Sequence, residues 1–161
     1  MLVSSKNYDK AVEVAANTAN AMKVGDPFDA DTKMGPISNK TQYEKVQRMI
    51  QIGIDEGATL SAGGVGLPEG CESGYYVKPT IFSDVTNDMT IAREEIFGPV
   101  LCLIKYETEE EAIEIANDTP YGLAGYIQGE HAHAVEVASK IRAGQISVSY
   151  THLRLPTSIE V

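Results

Sequence analysis

The sequence predicts an α/β fold in which helices and strands alternate and the sheet is largely parallel. Segments with apolar residues at helical spacing alternate along the chain with short apolar runs that suit strands. The run at residues 100–106 has a nearly continuous apolar face, which is typical of a strand buried within a parallel sheet. No internal repeat or low-complexity segment interrupts this order.

The composition is that of a globular protein of 161 residues, with 43% hydrophobic and 22% charged residues. A formal net charge of −10 argues against nucleic-acid or acidic-membrane partners, because both require a basic patch. The sequence has neither a secretory signal pattern nor an apolar stretch long enough to span a membrane, so we expect a cytoplasmic protein. Cys71 and Cys102 form neither a disulfide framework nor a metal cluster. We expect Cys71 to be exposed and Cys102 to be buried.

Two amphipathic helices are predicted in the first third of the chain. Apolar residues recur at helical spacing over residues 5–23, where Ser5 is a plausible N-cap and residues 24–27 end the pattern. The second helix begins near Ser38 and ends at Gly57, since glycine favours the left-handed conformation that closes a helix.

The pattern between residues 59 and 106 is dominated by short strands. Strands are predicted at 59–62 and 75–82 on either side of a glycine-rich loop, and Pro79 indicates an edge or a break in the second strand. A short helix at 89–94 precedes the strand at 100–106.

The last third returns to the alternation of helix and strand. Thr108 and Glu111 fit a capping box at the start of a helix that runs to about Asp118. A strand at 125–128, a helix around residues 134–141 and a strand from Gln145 follow. The pair of histidines at 131 and 133 is a weak metal candidate, because side chains at i and i+2 do not share a helix face.

Five short motifs occur in an order that identifies a family. The chain resembles the aldehyde dehydrogenase superfamily from residue 1 to about residue 147, and it is similar to the later part of the catalytic domain. The motifs that carry the resemblance are VGDP at 24–27, MGPI at 34–37, REEIFGPV at 93–100, ANDTPYGLA at 116–124 and RAGQ at 142–145.

The resemblance implies a cofactor site for NAD or NADP. It implies that Glu95 accepts hydrogen bonds from the nicotinamide ribose hydroxyls, which suits a carboxylate with two acceptor oxygens. Phe97 matches an aromatic residue near the nicotinamide ring, and Leu123 an apolar residue of the same pocket. Gln42 and Lys45 match a Gln-x-x-Lys pair near the adenosine ribose. Without the resemblance, Glu95 would be a solvated helix end, Phe97 a core aromatic, and Gln42 and Lys45 an exposed helix face.

The implied activity is oxidation of an aldehyde or semialdehyde to a carboxylate. In the family, a cysteine thiolate attacks the aldehyde, hydride leaves to NAD or NADP from the thiohemiacetal, and a glutamate base assists hydrolysis of the thioester. Cys71 and Cys102 match neither of these groups. We therefore expect the nucleophile, the base and the dinucleotide-binding domain upstream of residue 1, and no activity from this chain alone.

Two alternatives remain open at this point. One is a non-catalytic α/β interaction module of the same shape. The other is a reductase of the same superfamily that acts on an acyl phosphate or an acyl thioester. The sequence leaves open which aldehyde is oxidised and whether the cofactor is NAD or NADP. We expect the whole enzyme to be a homo-oligomer with a small-molecule aldehyde as its substrate.

The segment 148–161 departs from the family pattern. The string at residues 148–153 resembles the translation of an adapter used in sequencing libraries. We therefore predict a partial catalytic domain at 1–147 and a non-native, disordered tail at 148–161.

Overall fold

The computed structural model describes residues 1–150, which contain both helices and strands. The described chain divides into two compact units, Met1–Lys105 and a second that begins at Tyr106. The elements of the first unit are β1 (Leu2–Ser4), α1 (Tyr8–Ala21), α2 (Lys40–Asp55), β2 (Thr59–Ala62), β3 (Thr80–Ser83), α3 (Thr90–Arg93), β4 (Val100–Cys102) and β5 (Ile104–Tyr106), whose last residue begins the second unit. The second unit then contributes α4 (Glu109–Asn117), β6 (Ala124–Gly129), α5 (His131–Ala138) and β7 (Gln145–Tyr150).

The strands form small sheets with mainly parallel pairing. In the first unit β3 lies between β2 and β4, antiparallel to β2 and parallel to β4, and β1 pairs with β5. In the second unit β6 and β7 are parallel along their full length. The α/β prediction is confirmed, although the strands are distributed over several sheets.

The core of the first unit lies between α2 and the β3–β4 pair. Val46 and Ile50 of α2 and Phe82 of β3 are fully buried there, and Ile91 of α3 packs against them. A second cluster joins α1 to the sheet through Tyr8 and Leu103, both of them buried. Burial of such side chains stabilises the unit by about 1.5–3 kcal/mol each.

The start of α1 differs from the prediction. The helix begins at Tyr8 with Asn7 as N-cap, so Ser5 is not the cap. The reason is that Leu2–Ser4 pairs with β5, and a turn closed by Asn7 N donating to Ser4 O at 3.0 Å must follow before the helix. For α2 the cap is Asn39, whose side chain accepts from Gln42 N, and Gly57 follows the helix with φ 91°, as predicted.

Two predicted strands are shorter or divided in the structure. The strand predicted at 75–82 is limited to β3, which starts directly after Pro79, a residue without an N–H to donate. The strand predicted at 100–106 is interrupted at Leu103, because β4 pairs with β3 whereas β5 pairs with β1. Leu103 bridges the change of partner by donating its N–H to Phe82 O at 2.9 Å.

The second unit has a sparse core of its own. Among its described residues Ala134 is buried, and α4 contributes no fully buried side chain. Thr108 accepts from Glu111 N at 3.2 Å, as predicted, but the Glu111 carboxylate accepts from Glu107 N instead of the N–H of Thr108. The helix predicted to reach Ile141 ends at Ala138, and residues 139–141 continue as a turn whose N–H groups donate to the last carbonyls of the helix.

The predicted boundary of the tail is wrong for three residues. Val148, Ser149 and Tyr150 belong to β7 and pair with Ile127, Gln128 and Gly129 of β6. This pairing satisfies backbone groups that a disordered tail would leave to water. The remainder of the predicted tail, 151–161, lies outside the described residues.

Both cysteines are free and partly buried, so the expectation of an exposed Cys71 is wrong. Cys71 lies with its Sγ 3.9 Å from Val24 O. Residues 1–150 contain no group of three or more histidine, cysteine, aspartate or glutamate side chains placed to hold a metal ion. In the same range, no helix combines the length and apolar character needed to cross a membrane.

Candidate cofactor-binding site

The segment between α3 and β4 presents the glutamate and the phenylalanine of the REEIFGPV motif. It has no regular secondary structure from Glu94 to Pro99. Ile96 is buried and belongs to the core around α2, whereas its neighbours Glu95 and Phe97 are exposed. The buried isoleucine therefore anchors the segment while the carboxylate and the ring on either side remain accessible.

Phe97 has an unusual backbone conformation for an aromatic residue. Its φ is 60°, in the left-handed region, and its side chain is 72% exposed. A bulky residue in this region costs about 1–2 kcal/mol relative to the ordinary conformations. The ring does not recover that cost by burial, so the alternative of an ordinary core aromatic is wrong. Strained conformations of this kind concentrate at functional sites.

Two side chains of α2 bind the backbone of this segment. Gln42 Nε2 donates to Ile96 O at 3.0 Å and to Phe97 O at 2.7 Å. Lys45 Nζ donates to Glu95 O at 2.5 Å. Gln42 and Lys45 are three positions apart and so share one helix face. The three carbonyls from Glu95 to Phe97 are thus satisfied by α2 instead of by a sheet or helix.

The turn that follows Phe97 depends on a close approach to α2. A Cβ atom placed on Gly98 would lie 2.6 Å from Val46 Cγ2 and 3.0 Å from Val46 Cγ1. Since Val46 is fully buried, it cannot move aside, and position 98 must be glycine. Pro99 O then accepts from Thr80 N at 2.8 Å, which leads the chain into β4.

The start of α3 is fixed by a carboxylate from the end of α2. Glu56 accepts from Thr90 N at 2.8 Å through Oε2 and from the Thr90 hydroxyl at 2.5 Å through Oε1. Glu56 at the start of α3 and Val46 beside Gly98 together hold α3 and the motif segment that follows it against α2.

An open depression of about 450 Å³ lies along the motif. Its lining combines apolar side chains with the two motif carboxylates: Met1, Ile91, Ala92, Glu94, Glu95, Ile96, Phe97, Gly98, Val100, Leu101, Cys102 and Ile104. A surface of this kind offers hydrogen-bond acceptors beside an apolar floor, which suits a ligand with sugar hydroxyls and a flat ring.

Cys102 also lines the depression, but its thiol is not suited to nucleophilic attack. Burial raises the pKa of Cys102 from its ordinary value of 9.0 to about 11. The thiolate is the reactive form, so a pKa in this range leaves almost all of the group protonated at neutral pH. The expectation that Cys102 is a small apolar residue without a reactive role agrees with this environment.

Leu123 lies in the second unit, immediately before β6, and is 89% exposed. The loop that presents it is held within that unit by Arg142, whose guanidinium donates to Asn117 O at 3.2 Å and to Thr119 O. Asn117 in turn accepts from Arg142 N at 2.7 Å and donates to Lys140 O at 2.9 Å.

These bonds explain why α5 stops early, since the backbone of residues 140–142 turns to meet Asn117. They also join the ANDTPYGLA and RAGQ motifs into one structural pair. Both motifs are visible in the sequence, but their contact could not be predicted from it. Asn117 and Arg142 lie 25 positions apart, and no local pattern relates residues at that separation.

Comparison with known proteins identifies the family to which the chain belongs. The sequence profile of the aldehyde dehydrogenase family matches residues 1–157. The 3-succinoylsemialdehyde-pyridine dehydrogenase of a Pseudomonas species is 49% identical over 150 residues, which cover 92% of this chain and 31% of that protein. The chain therefore belongs to the aldehyde dehydrogenase family, and it spans 31% of the length of that curated relative.

Solved structures of the family share the fold. An aldehyde dehydrogenase C from Pseudomonas syringae, a cysteine-to-alanine mutant in complex with NAD⁺ and octanal, matches with a TM-score of 0.90 and 51% identity over 93% of this chain and 31% of its own. An aldehyde dehydrogenase from Mycobacterium tuberculosis in complex with NAD⁺ matches with a TM-score of 0.88 and 43% identity over 92% of this chain and 31% of its own. The predicted family and fold class are thereby confirmed.

Proposed function

We propose that this chain is the part of an NAD(P)-dependent aldehyde dehydrogenase that holds the nicotinamide end of the cofactor. The observation that carries the proposal is the pair of exposed side chains, Glu95 and Phe97, on either side of the buried anchor Ile96. Both line the same depression. The complexes of two structural neighbours with NAD⁺ support this choice of ligand.

The residues present fit such a cofactor chemically. The Glu95 carboxylate has acceptor oxygens for two vicinal ribose hydroxyls, and the exposed ring of Phe97 offers a flat apolar contact beside it. A bound nicotinamide supplies the hydride acceptor for aldehyde oxidation. The chain's own contribution is to bind the ribose through Glu95 and to restrict the position of the nicotinamide ring through contact with Phe97.

The other predicted cofactor residues enter the proposal in different ways. Gln42 and Lys45 lie against the carbonyls of Glu95, Ile96 and Phe97, so we place them at the nicotinamide half of the site. This revises the expectation of a position near the adenosine ribose. Leu123 has an exposed apolar side chain, and we propose from the family match that it contacts the cofactor.

For the whole enzyme we propose oxidation of an aldehyde or semialdehyde to a carboxylate through a cysteine thiohemiacetal and thioester. The semialdehyde dehydrogenase and the octanal complex among the similar proteins support this class of substrate. Neither Cys71 nor Cys102 matches the nucleophile, so the chain alone should show no NADH production with a panel of aldehydes. Turnover that disappears when Cys71 or Cys102 is mutated would contradict that assignment.

The assignment of Glu95 is tested by Glu95→Gln in the full-length protein. The amide keeps the shape and removes the charge, at a cost of roughly 1 kcal/mol per hydroxyl contact. We expect the Kd for NAD⁺ or NADP⁺, measured by calorimetry, to rise about thirtyfold if both hydroxyl contacts weaken, with an unchanged Tm because the side chain is exposed.

The matched control is Glu13→Gln, which removes an exposed carboxylate of α1 that is paired with Lys10. It should bind the cofactor like wild type. If Glu95→Gln and Glu13→Gln bind the cofactor with equal affinity, Glu95 is a solvated helix end and does not bind the ribose. A wild-type protein that binds no dinucleotide would favour the interaction module. Turnover of acyl phosphates or acyl thioesters in place of aldehydes would favour the reductase.

A further inference from the structure

Gln42 and Lys45 both lie on α2 at the motif segment, but Gln42 is bound in a way that restricts what it can do. Its amide carries two N–H donors. One bonds to Ile96 O at 3.0 Å and the other to Phe97 O at 2.7 Å, across 54 and 55 positions of sequence. Both donors are therefore directed at the backbone of the segment, and only the amide oxygen remains to accept from a ligand.

The two carbonyls that Gln42 binds flank the φ and ψ angles of Phe97. A bond to the carbonyl before Phe97 and another to its own carbonyl fix the peptide planes on both sides of that residue. Phe97 has φ 60°, which an aromatic residue rarely adopts without support from its surroundings. The position of these bonds, and not only their number, connects Gln42 with the conformation of Phe97.

We propose that Gln42 is a positioning residue, which holds the left-handed backbone of Phe97 and so fixes the direction of its ring towards the nicotinamide. The inference rests on the proposed function for the identity of the ligand, and on the hydrogen bonds of Gln42 for the mechanism. Lys45 assists by holding Glu95 O at 2.5 Å. Small misplacements of a group that orients a reactant slow the reaction steeply, so the effect belongs in the rate of hydride transfer.

A second glutamine on the same helix provides the control. Gln51 is exposed, and its Nε2 donates to Asp55 Oδ1 at 2.8 Å within α2. Replacing Gln51 by methionine removes an amide of the same type from the same helix without touching residues 95–98. Gln42→Met and Gln51→Met therefore differ mainly in the contact with the motif segment.

The first measurement is hydrogen exchange on the full-length protein without cofactor, which does not depend on activity. If Gln42 holds Phe97, Gln42→Met should speed exchange at the amides of Val100 and Thr80, which donate to Gly98 O and Pro99 O at 2.8 Å, by at least about fivefold, because the segment opens more often. Gln51→Met should leave these amides at wild-type rates. Equal exchange in the two variants would overturn the proposal, whatever the protein binds.

The second measurement is a double-mutant cycle on single-turnover hydride transfer. In the wild-type background Gln42→Met should slow the transfer about tenfold. In Phe97→Gly the ring is absent and glycine adopts the left-handed conformation without support, so Gln42→Met should add less than about twofold. The same tenfold loss in both backgrounds would show that Gln42 acts on the ligand directly, and would overturn the proposal.

The two measurements separate the two hypotheses. If Gln42→Met exchanges faster at Val100 and Thr80 but the wild-type protein binds no dinucleotide, the Gln42 contact stands and the proposed function is refuted. Normal cofactor binding with unchanged exchange in Gln42→Met would support the proposed function and refute the positioning role of Gln42.

Discussion

Two residues of the first unit, Asp84 and Phe97, have the same left-handed backbone and different surroundings. Their φ angles are 53° and 60°. Aspartate tolerates this region because its short polar side chain bonds locally, whereas a phenylalanine there is an outlier. Asp84 follows β3 and donates its N–H to the Tyr8 hydroxyl at 2.6 Å. Phe97 is held through its carbonyl by Gln42 and keeps its ring exposed.

Under the proposed function, the difference separates a structural turn from a functional one. At Asp84 the residue type suits the conformation, and the bond to Tyr8 ties the turn to the buried cluster of α1 and Leu103. At Phe97 the residue type opposes the conformation, and the exposed ring gains little from the fold. A residue that costs stability where it stands is best explained by what it contacts when a ligand is bound.

The largest difference is expected for Phe97→Gly in the full-length protein. Loss of the ring should slow hydride transfer by ten- to a hundredfold, about the range for a lost orienting contact. The Tm should stay constant or rise slightly, because glycine relieves a left-handed strain of about 1 kcal/mol and little burial is lost. Stopped-flow absorbance of NADH and thermal unfolding measure the two effects. A marked fall in Tm with unchanged kinetics would show that the ring serves the fold.

Tyr8→Phe should give the opposite pattern. The hydroxyl donates to Leu103 O at 3.1 Å and accepts from Asp84 N, and Tyr8 is buried, so its removal leaves both partners without this bond. We expect a loss of about 1–3 kcal/mol in the free energy of unfolding, with cofactor affinity unchanged. Chemical denaturation measures the loss. Tyr126→Phe, on an exposed side chain of β6, should cost almost nothing and serves as control.

The smallest effect is expected for Asp84→Gly. Glycine adopts the same conformation and keeps the N–H that bonds to Tyr8, so the free energy of unfolding should change by no more than about 0.5–1 kcal/mol. Cofactor affinity and hydride transfer should both match wild type. If Asp84→Gly slowed hydride transfer as Phe97→Gly does, the distinction between the two turns would be lost.

Local signals predicted much of the fold. The sequence predicted β2 with its observed bounds, the start of α2 within two residues, and Thr108 as the cap of α4. These features depend on helical spacing, cap residues and glycine conformations, all of which act within a few positions. The boundaries that were wrong, at Ser5, Leu103, Ile141 and Val148, depend on a distant strand or side chain.

In the candidate site, too, some features follow from the local sequence and others depend on distant contacts. The motifs were enough to single out Glu95 and Phe97, since the family pattern names residue types in order. The structure added that Ile96 between them is buried and that Phe97 is left-handed and exposed. The contacts of Gln42 and Lys45 with the motif segment could not be predicted, because a pair at i and i+3 on a helix predicts a shared face and not its partner.

The sequence by itself determined the family, the α/β class and the identity of the motif residues. Periodicity, turn residues and motifs depend on residues that are close together in the chain, so they can be recognised from the sequence alone. The tertiary structure alone decided where strands change partners, why position 98 has room for glycine alone, and which carbonyls Gln42 and Lys45 bind. Those contacts join residues about 50 positions apart, and they exist only after α2 and the motif segment have packed on the same core.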